Sequence, residues 1–474
     1  MNRAFSRLMP RLGLLFVLLA APGAGGAATA WATAPLSQLN WSPCANVPDS
    51  ECAGLPVPLD PSRPDGPQVT LRLARVPAAN PASGKPSLLI IPGGPGAGIV
   101  DTFGSQRTEY HVDEMRQARD VYTFDPRGVG QSSPVRCPTE VVPGPPPEGV
   151  GSRAAFDALA AANAAFAQSC FAATGELMAH LSSRDSAADI ERIRLAIGQA
   201  DGLIAYGGSY GTTYLEAYLE RYGDRLRVAA LDGVVDHSAD LRVFAALDAV
   251  AMEDAFNQFA AWCDADSACD LHGQDVRAVL DAAVAARPDV LLFVGRLMNG
   301  GREKGWPVVA QTLAQIATGD DSALAAAVPG DTNQAAGSTG LFRGVMCSDF
   351  GPQLDYEGLA ADTTLLAAVA PRFGSWQYWD TVGACVGWPA AASYPPHRLQ
   401  VGSHPNVLVA NTTHDPATPL VGALAVQAQI PDSHLLIVHA DGHQAWAWSR
   451  CGFETQLSFL DDPAAAPAFA ACLN

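Results

Sequence analysis

Short apolar runs alternate with longer amphipathic ones through the first half of this chain. Residues 87–91, 120–124, 203–206 and 228–231 are near-continuous apolar stretches, the pattern of strands buried on both faces. Gln68–Val76 differs: Val69, Leu71 and Leu73 alternate with Thr70, Arg72 and Ala74, which predicts a strand with one buried face. Between these runs, residues 182–197 open on Ser and Asp and place apolar residues at helical spacing. Residues 212–222 set Glu216 and Glu220 among Leu215, Ala217, Tyr218 and Leu219. Both segments predict helices. The Pro/Gly-rich residues 133–151 predict a surface loop. Strand and helix in alternation imply an α/β fold with a mostly parallel sheet.

The pattern changes at about residue 237. Ala-rich amphipathic runs at 241–263, 275–286 and Trp306–Ala317 predict a mostly helical insertion, interrupted by one strand-like run at 290–294. The α/β pattern returns with a strand at 406–410, a helix at 420–429 and a strand at 435–438. The expected division is a core over 31–236, a helical lid over 237–402, and the second part of the core over 403–474.

One stretch joins a predicted strand to a predicted helix through Gly207-Gly208-Ser209-Tyr210-Gly211. Gly-x-Ser-x-Gly in that setting is a nucleophile elbow, a tight turn that lifts a serine Oγ clear of the sheet edge. A serine hydroxyl needs a base, and the base needs an acid to orient it. In an elbow fold these follow in the order Ser, Asp, His, on loops after later strands. Asp415 lies just past residues 406–410 and His443 just past 435–438. His414, His439 and Asp441 are neighbouring rivals. Gly442 gives the sharp loop that favours His443, and an acid two residues from its histidine, as Asp441 is, reaches the far ring nitrogen poorly. The expected triad is Ser209, Asp415 and His443. The expected oxyanion donors are the backbone amides of Tyr210 and Gly94, since Pro95 has no N–H.

The formal charge of −19 disfavours nucleic acid or an anionic membrane as a partner. Residues 1–30 hold Arg3, Arg7 and Arg11, no acid, and an apolar run of about ten residues ending in small residues, the form of a signal peptide. Cleavage after Ala30 would leave 26 basic residues against 48 acidic ones and no stable membrane anchor. A secreted or periplasmic location follows. Ten cysteines in an exported chain imply five disulfides. Sequence leaves their connectivity open. The spacing nevertheless falls into five successive loops: Cys44–Cys52, Cys137–Cys170, Cys263–Cys269, Cys347–Cys385 and Cys451–Cys472. No Cys-x-x-Cys pair occurs, and neither metal nor cofactor is expected.

With these residues in hand the chain resembles the α/β-hydrolase superfamily, and within it the secreted tripeptidyl-aminopeptidase-like branch of the prolyl aminopeptidase family of serine peptidases. The motifs that carry the resemblance are Pro92-Gly-Gly-Pro-Gly96, Asp125-Pro-Arg-Gly-Val-Gly130, Gly207-Gly-Ser-Tyr-Gly211, Leu231-Asp-Gly-Val-Val-Asp236, Trp262-Cys263, Cys385 through Trp388-Pro389, and Asp415-Pro-Ala-Thr-Pro419. Ile91 and Ala97 stand where similar proteins often carry Asn and Ser. Pro92 stands where the prolyl aminopeptidases proper usually have His. The resemblance implies a helical lid, a Ser–Asp–His triad, no metal, and release of short peptides from free N-termini. It also matches the five-loop cysteine pairing. A peptide ammonium calls for pocket carboxylates, for which Glu253, Asp254 and Asp236 are the candidates. Phe373, Trp376, Tyr378, Trp379 and Trp388 offer stacking surfaces or lid core. An ester hydrolase using the same triad and a non-catalytic binding protein are the alternatives.

Overall fold

The computed structural model describes residues 39–473, except 46, 104–109, 139–143, 145–148, 327–331 and 352–353. The expected signal segment lies outside the described residues. Ten strands form one sheet: β1 (Ser42–Pro43), β2 (Glu51–Pro58), β3 (Gln68–Val76), β4 (Leu88–Ile91), β5 (Val121–Phe124), β6 (Leu203–Gly208), β7 (Leu226–Asp232), β8 (Val407–His414), β9 (His434–Asp441) and β10 (Phe469–Leu473). Their spatial order is β1-β2-β3-β5-β4-β6-β7-β8-β9-β10. The first three pairings are antiparallel and all later ones parallel. This is the α/β-hydrolase architecture, with β6 an interior strand between β4 and β7.

The alternation of strand side chains explains the two layers of helix. Leu89, Ile91, Ala205, Leu231 and Val409 face one way, onto the helices Ser183–Ala196 and Gly211–Tyr222. Leu88, Ile90, Ile204, Tyr206, Val228 and Leu408 face the other, onto the helix Arg450–Asp461. Both faces are covered, so the central strands read as continuous apolar runs rather than alternating ones.

Eight α-helices of the described chain lie between β7 and β8, from Leu241–Ala265 to Gly374–Gly383. Part of this insertion has its own apolar centre, built from Phe256, Phe259, Leu280, Val294, Trp306 and Leu313. The rest, including Leu341, Val345, Leu359, Tyr378 and Trp379, joins the main core. The strand expected at 290–294 is instead the start of the helix Val290–Met298. Val290, Leu291, Val294 and Met298 are its buried side, a helical spacing that five apolar residues read alone do not disclose. The helix Arg153–Thr174 was not anticipated. Cys137 pairs with Cys170 on that helix, and the other four disulfides are Cys44–Cys52, Cys263–Cys269, Cys347–Cys385 and Cys451–Cys472, the five successive loops of the spacing. Among the described residues no helix is long and apolar enough to cross a membrane.

The motif Asp125-Pro-Arg127 has a structural use. The guanidinium of Arg127, 1% exposed, donates to both carboxylate oxygens of Asp189 at 2.8 Å and to the carbonyls of Leu59, His180 and Pro58. It thereby ties the end of β2 and the loop after β5 to the helix Ser183–Ala196. Asp189 is also 1% exposed, so removing one partner strands a buried charge. Arg127→Met is expected to lower the chemical-denaturation midpoint, at a cost of about 3–5 kcal/mol, as read by tryptophan fluorescence.

Candidate active site

Ser209 follows β6 with a φ of 55°. The turn is possible because three glycines let backbone approach backbone. A Cβ on Gly207 would sit 2.6 Å from Leu215 Cδ1, one on Gly211 2.6 Å from the Ile91 carbonyl oxygen, and one on Gly93 2.7 Å from Ser209 Cβ. Ser209 N–H donates to the Asp232 carbonyl at 2.9 Å, and its own carbonyl accepts from the Thr212 amide and hydroxyl at 2.9 and 2.7 Å. Gly94 and Tyr210, the expected oxyanion donors, line the same cavity as Ser209. Gly93 packs so tightly on the elbow that a Cβ there would be 3.1 Å from the Tyr210 nitrogen.

β8 runs to His414, so Asp415 is the first residue past its end. Asp415 is 1% exposed and accepts from the amides of Ala417 and Thr418, from the Thr418 hydroxyl, and from the Gln444 amide. Both its oxygens lie 2.9 Å from His443 Nδ1. Thr418 Oγ1 is 3.2 Å from the same nitrogen. Among the described residues, the ring's hydrogen bonds therefore fall on Nδ1, leaving Nε2 for a serine hydroxyl. Burial works against the imidazolium, but the facing Asp415 carboxylate outweighs it and holds His443 above the usual histidine value. The rivals are engaged elsewhere. His414 Nδ1 pairs with Asp254 at 2.7 Å, His439 Nδ1 lies 3.3 Å from Thr413 Oγ1, and Asp441 pairs with Arg302.

The turn that carries Ser209 and the loop that carries His443 approach each other at the ends of β6 and β7. Gly208 abuts the Gln444 side chain, and a Cβ on Gly233 would lie 3.0 Å from His443 Cε1. The inserted helices reach the same point: the Asn299 carbonyl accepts from His443 N–H at 3.0 Å. A Cβ on Gly301 would lie 2.3 Å from the Asp441 carbonyl.

A cavity of about 390 Å³ opens from Ser209 under these helices. None of the three expected amine-binding acids lines it. Glu253 accepts from the amides of Arg372 and Phe373 and from the Arg372 guanidinium, which spends it on joining two inserted helices. Asp254 is turned to His414, and Asp236 folds back on Ser238. The carboxylates in the cavity are instead Asp248 and Asp380. Asp248 is 6% exposed. Its Oδ2 accepts from Gln377 Nε2 at 2.6 Å, while its Oδ1 is buried with no partner among the described residues. Burial pushes this carboxyl up to about 7. Asp380 is open to the cavity, yet crowded enough that burial raises it too. Of the five aromatic residues, Trp376 lines the cavity. Phe373, Tyr378, Trp379 and Trp388 are core, each 4% exposed or less.

Fold and sheet order place the chain among the α/β-hydrolases. Residues 370–472 match the family model of TAP-like proteins. The chain is 29% identical to the tripeptidyl aminopeptidase of Streptomyces lividans over 445 residues, covering 87% of this chain and 82% of that one. It is 28% identical to the serine protease Hip1 of Mycobacterium tuberculosis over 476 residues, covering 92% and 91%. A protein named carboxylesterase B from the same species is 29% identical over 444 residues, covering 86% and 84%. The chain is thus similar to tripeptidyl aminopeptidases and their relatives among the α/β-hydrolases, and it is a serine hydrolase.

The Asp415 contact accounts for the raised histidine. In Asp415→Asn, the His443 imidazole is expected to titrate at a lower pH than in the parent, as followed by its ring-proton NMR signals.

Proposed function

We propose that this hydrolase is an exopeptidase that removes short peptides from free N-termini through an acyl-enzyme. In this reading Ser209 attacks the scissile carbonyl and His443 takes its proton, then returns it to the leaving amine. Asp415 holds the imidazole and stabilises its charged form, and the amides of Gly94 and Tyr210 hold the oxyanion. The inserted helices act as the lid. Three strand ends supply the three side chains in the chain order that an elbow hydrolase requires.

The observation that carries the peptidase reading is Asp248. A carboxylate oxygen buried without a partner, in the cavity that Ser209 lines, is costly unless a ligand supplies the donor. A substrate ammonium is that donor, with Asp380 adding a second negative charge. An ester has no corresponding group. The site is selective for the charged pair: Asp248 is neutral below about 7, and an arriving ammonium favours its ionised form. The oxidising compartment that five disulfides imply suits a peptidase acting outside the cytoplasm.

The test uses chromogenic anilides of Pro, Ala-Ala-Pro and N-acetyl-Ala-Ala-Pro beside a butyrate ester. Cleavage of the free tripeptidyl anilide and not of its acetylated twin is the expected result; cleavage of the ester alone overturns the peptidase reading. Ser209→Ala is expected to lower turnover at least about 10⁴-fold without changing the unfolding midpoint. Fluorophosphonate labelling should be lost with it, and activity close to that of the parent would remove Ser209 from its role.

Asp248→Asn is expected to raise KM for the free-amine substrate about 10–100-fold, the worth of a charge-assisted hydrogen bond. For the parent, kcat/KM should fall as the pH drops through about 7, where Asp248 takes up a proton. Protonation of His443, itself raised, adds to the same limb. An initial-rate pH profile of parent and variant separates the two groups.

A further inference from the structure

The motif Leu231-Asp-Gly-Val-Val-Asp236 supplies none of the reacting groups named above, yet its Asp232 touches both sides of the reaction centre. Its backbone carbonyl accepts from Ser209 N–H at 2.9 Å. Its side chain is 0% exposed. That carboxylate accepts from the amides of Ala445 and Trp446 at 2.7 Å each, from Tyr206 OH at 3.1 Å, and from Gln456 Nε2 at 3.1 Å. Ala445 and Trp446 follow His443 closely in the chain, at the start of the short helix Ala445–Trp448. The next residue, Gly233, has a φ of 64° and leaves the space that the His443 ring fills. The end of β7 therefore holds the nucleophile by a carbonyl and the segment of the base by a carboxylate.

We propose that Asp232 is a positioning residue of this hydrolase: a buried carboxylate that sets the placement of His443 against Ser209 and puts a second negative charge behind the imidazolium. The inference rests on the reading of Ser209 and His443 as nucleophile and base. Four donors converge on Asp232, which suits an acceptor-only carboxylate. An asparagine would turn an NH₂ towards some of them. Burial pushes the carboxyl up, and Gln456, the two amides and Tyr206 oppose it. The charged groups facing His443 are Asp415 from the loop after β8, Asp232 from the end of β7 and Asp248 from the helix Leu241–Ala265. Asp232 is fixed in place before any charge develops on the ring, so its field costs no reorganisation during the reaction.

Asp232→Asn keeps the volume and removes the charge. On the free tripeptidyl anilide, kcat is expected to fall about tenfold to a hundredfold at little-changed KM, the size of effect expected when reacting groups are misplaced. The acid limb of kcat/KM is expected to move to lower pH, because the imidazolium loses a negative neighbour. Parent kcat overturns the proposal. So does a lowered kcat with the acid limb unmoved, since packing alone would do that. If Asp232→Asn does not fold, Tyr206→Phe removes one donor and keeps the carboxylate: a lowered kcat at parent KM supports the proposal, and parent kcat overturns it. An inert Ser209→Ala beside a fully active Asp232→Asn sinks this inference alone, whereas an active Ser209→Ala sinks the reading of the site.

Discussion

On the proposed reading, the chemistry of this protein depends on keeping a serine at a backbone angle that L-residues avoid. A φ of 55° at Ser209 costs on the order of 1–2 kcal/mol, and it persists only where the surroundings over-determine it. The surroundings do so because β6 lies between β4 and β7. The loop after β4 brings Gly93 against the serine from one side. The last residue of β7 offers its carbonyl to the serine amide from the other. The central place of β6 in the sheet and the strained turn after it are thus one constraint, and Gly207 and Gly211 are what allow the neighbours so close.

Buried carboxylates are the second theme. The chain carries −19 overall, and most of its acids are solvated. Several around the elbow are not. Asp349, from the inserted helix Thr332–Phe350, accepts from the Ser183 amide and hydroxyl and from Tyr210 OH, and burial pushes it up to about 7. Glu216, on the helix that follows the elbow, has both oxygens buried without partners among the described residues and is raised well above its ordinary value. A carboxyl whose folded value exceeds its unfolded one favours the folded state on the acid side, and that contribution fades as pH rises through the folded value. For Asp248 and Asp349 the window closes near 7. The elbow region is therefore built at some cost to stability in neutral solution, a pattern expected where groups are kept for use rather than for cohesion.

Much of the parallel sheet was legible because its strands are covered on both faces and so appear as uninterrupted apolar runs. The elbow was legible because strand, glycines and helix all had to be adjacent in the chain. Asp415 and His443, whose side chains the structure pairs at 2.9 Å, could be singled out because each follows a strand end. What escaped depends on contacts between distant segments. The helix Arg153–Thr174 is Ala-rich and weakly patterned, and its buried Asn163 is satisfied by distant groups, the carbonyls of Gly383 and Val386 and the Arg343 guanidinium. Glu216 has the spacing of a solvated face and is 1% exposed, with His237 and Tyr394, distant in the chain, among its neighbours. Asp248 lies five positions from Glu253 on the helix Leu241–Ala265, and local pattern does not separate them. Only the packing of Gly374–Gly383 against that helix turns one to the cavity and the other to Arg372.

The hydrogen bond from the His443 amide to the Asn299 carbonyl has a consequence for how such a fold can change. Insertions over a catalytic sheet are usually thought of as exchangeable covers that alter what enters and leave the machinery beneath untouched. Here the cover holds the backbone of the imidazole loop, and Gly301 leaves no room for a side chain at that junction. Transplanting a different insertion between β7 and β8 would therefore alter cavity shape and the seating of the His443 loop together.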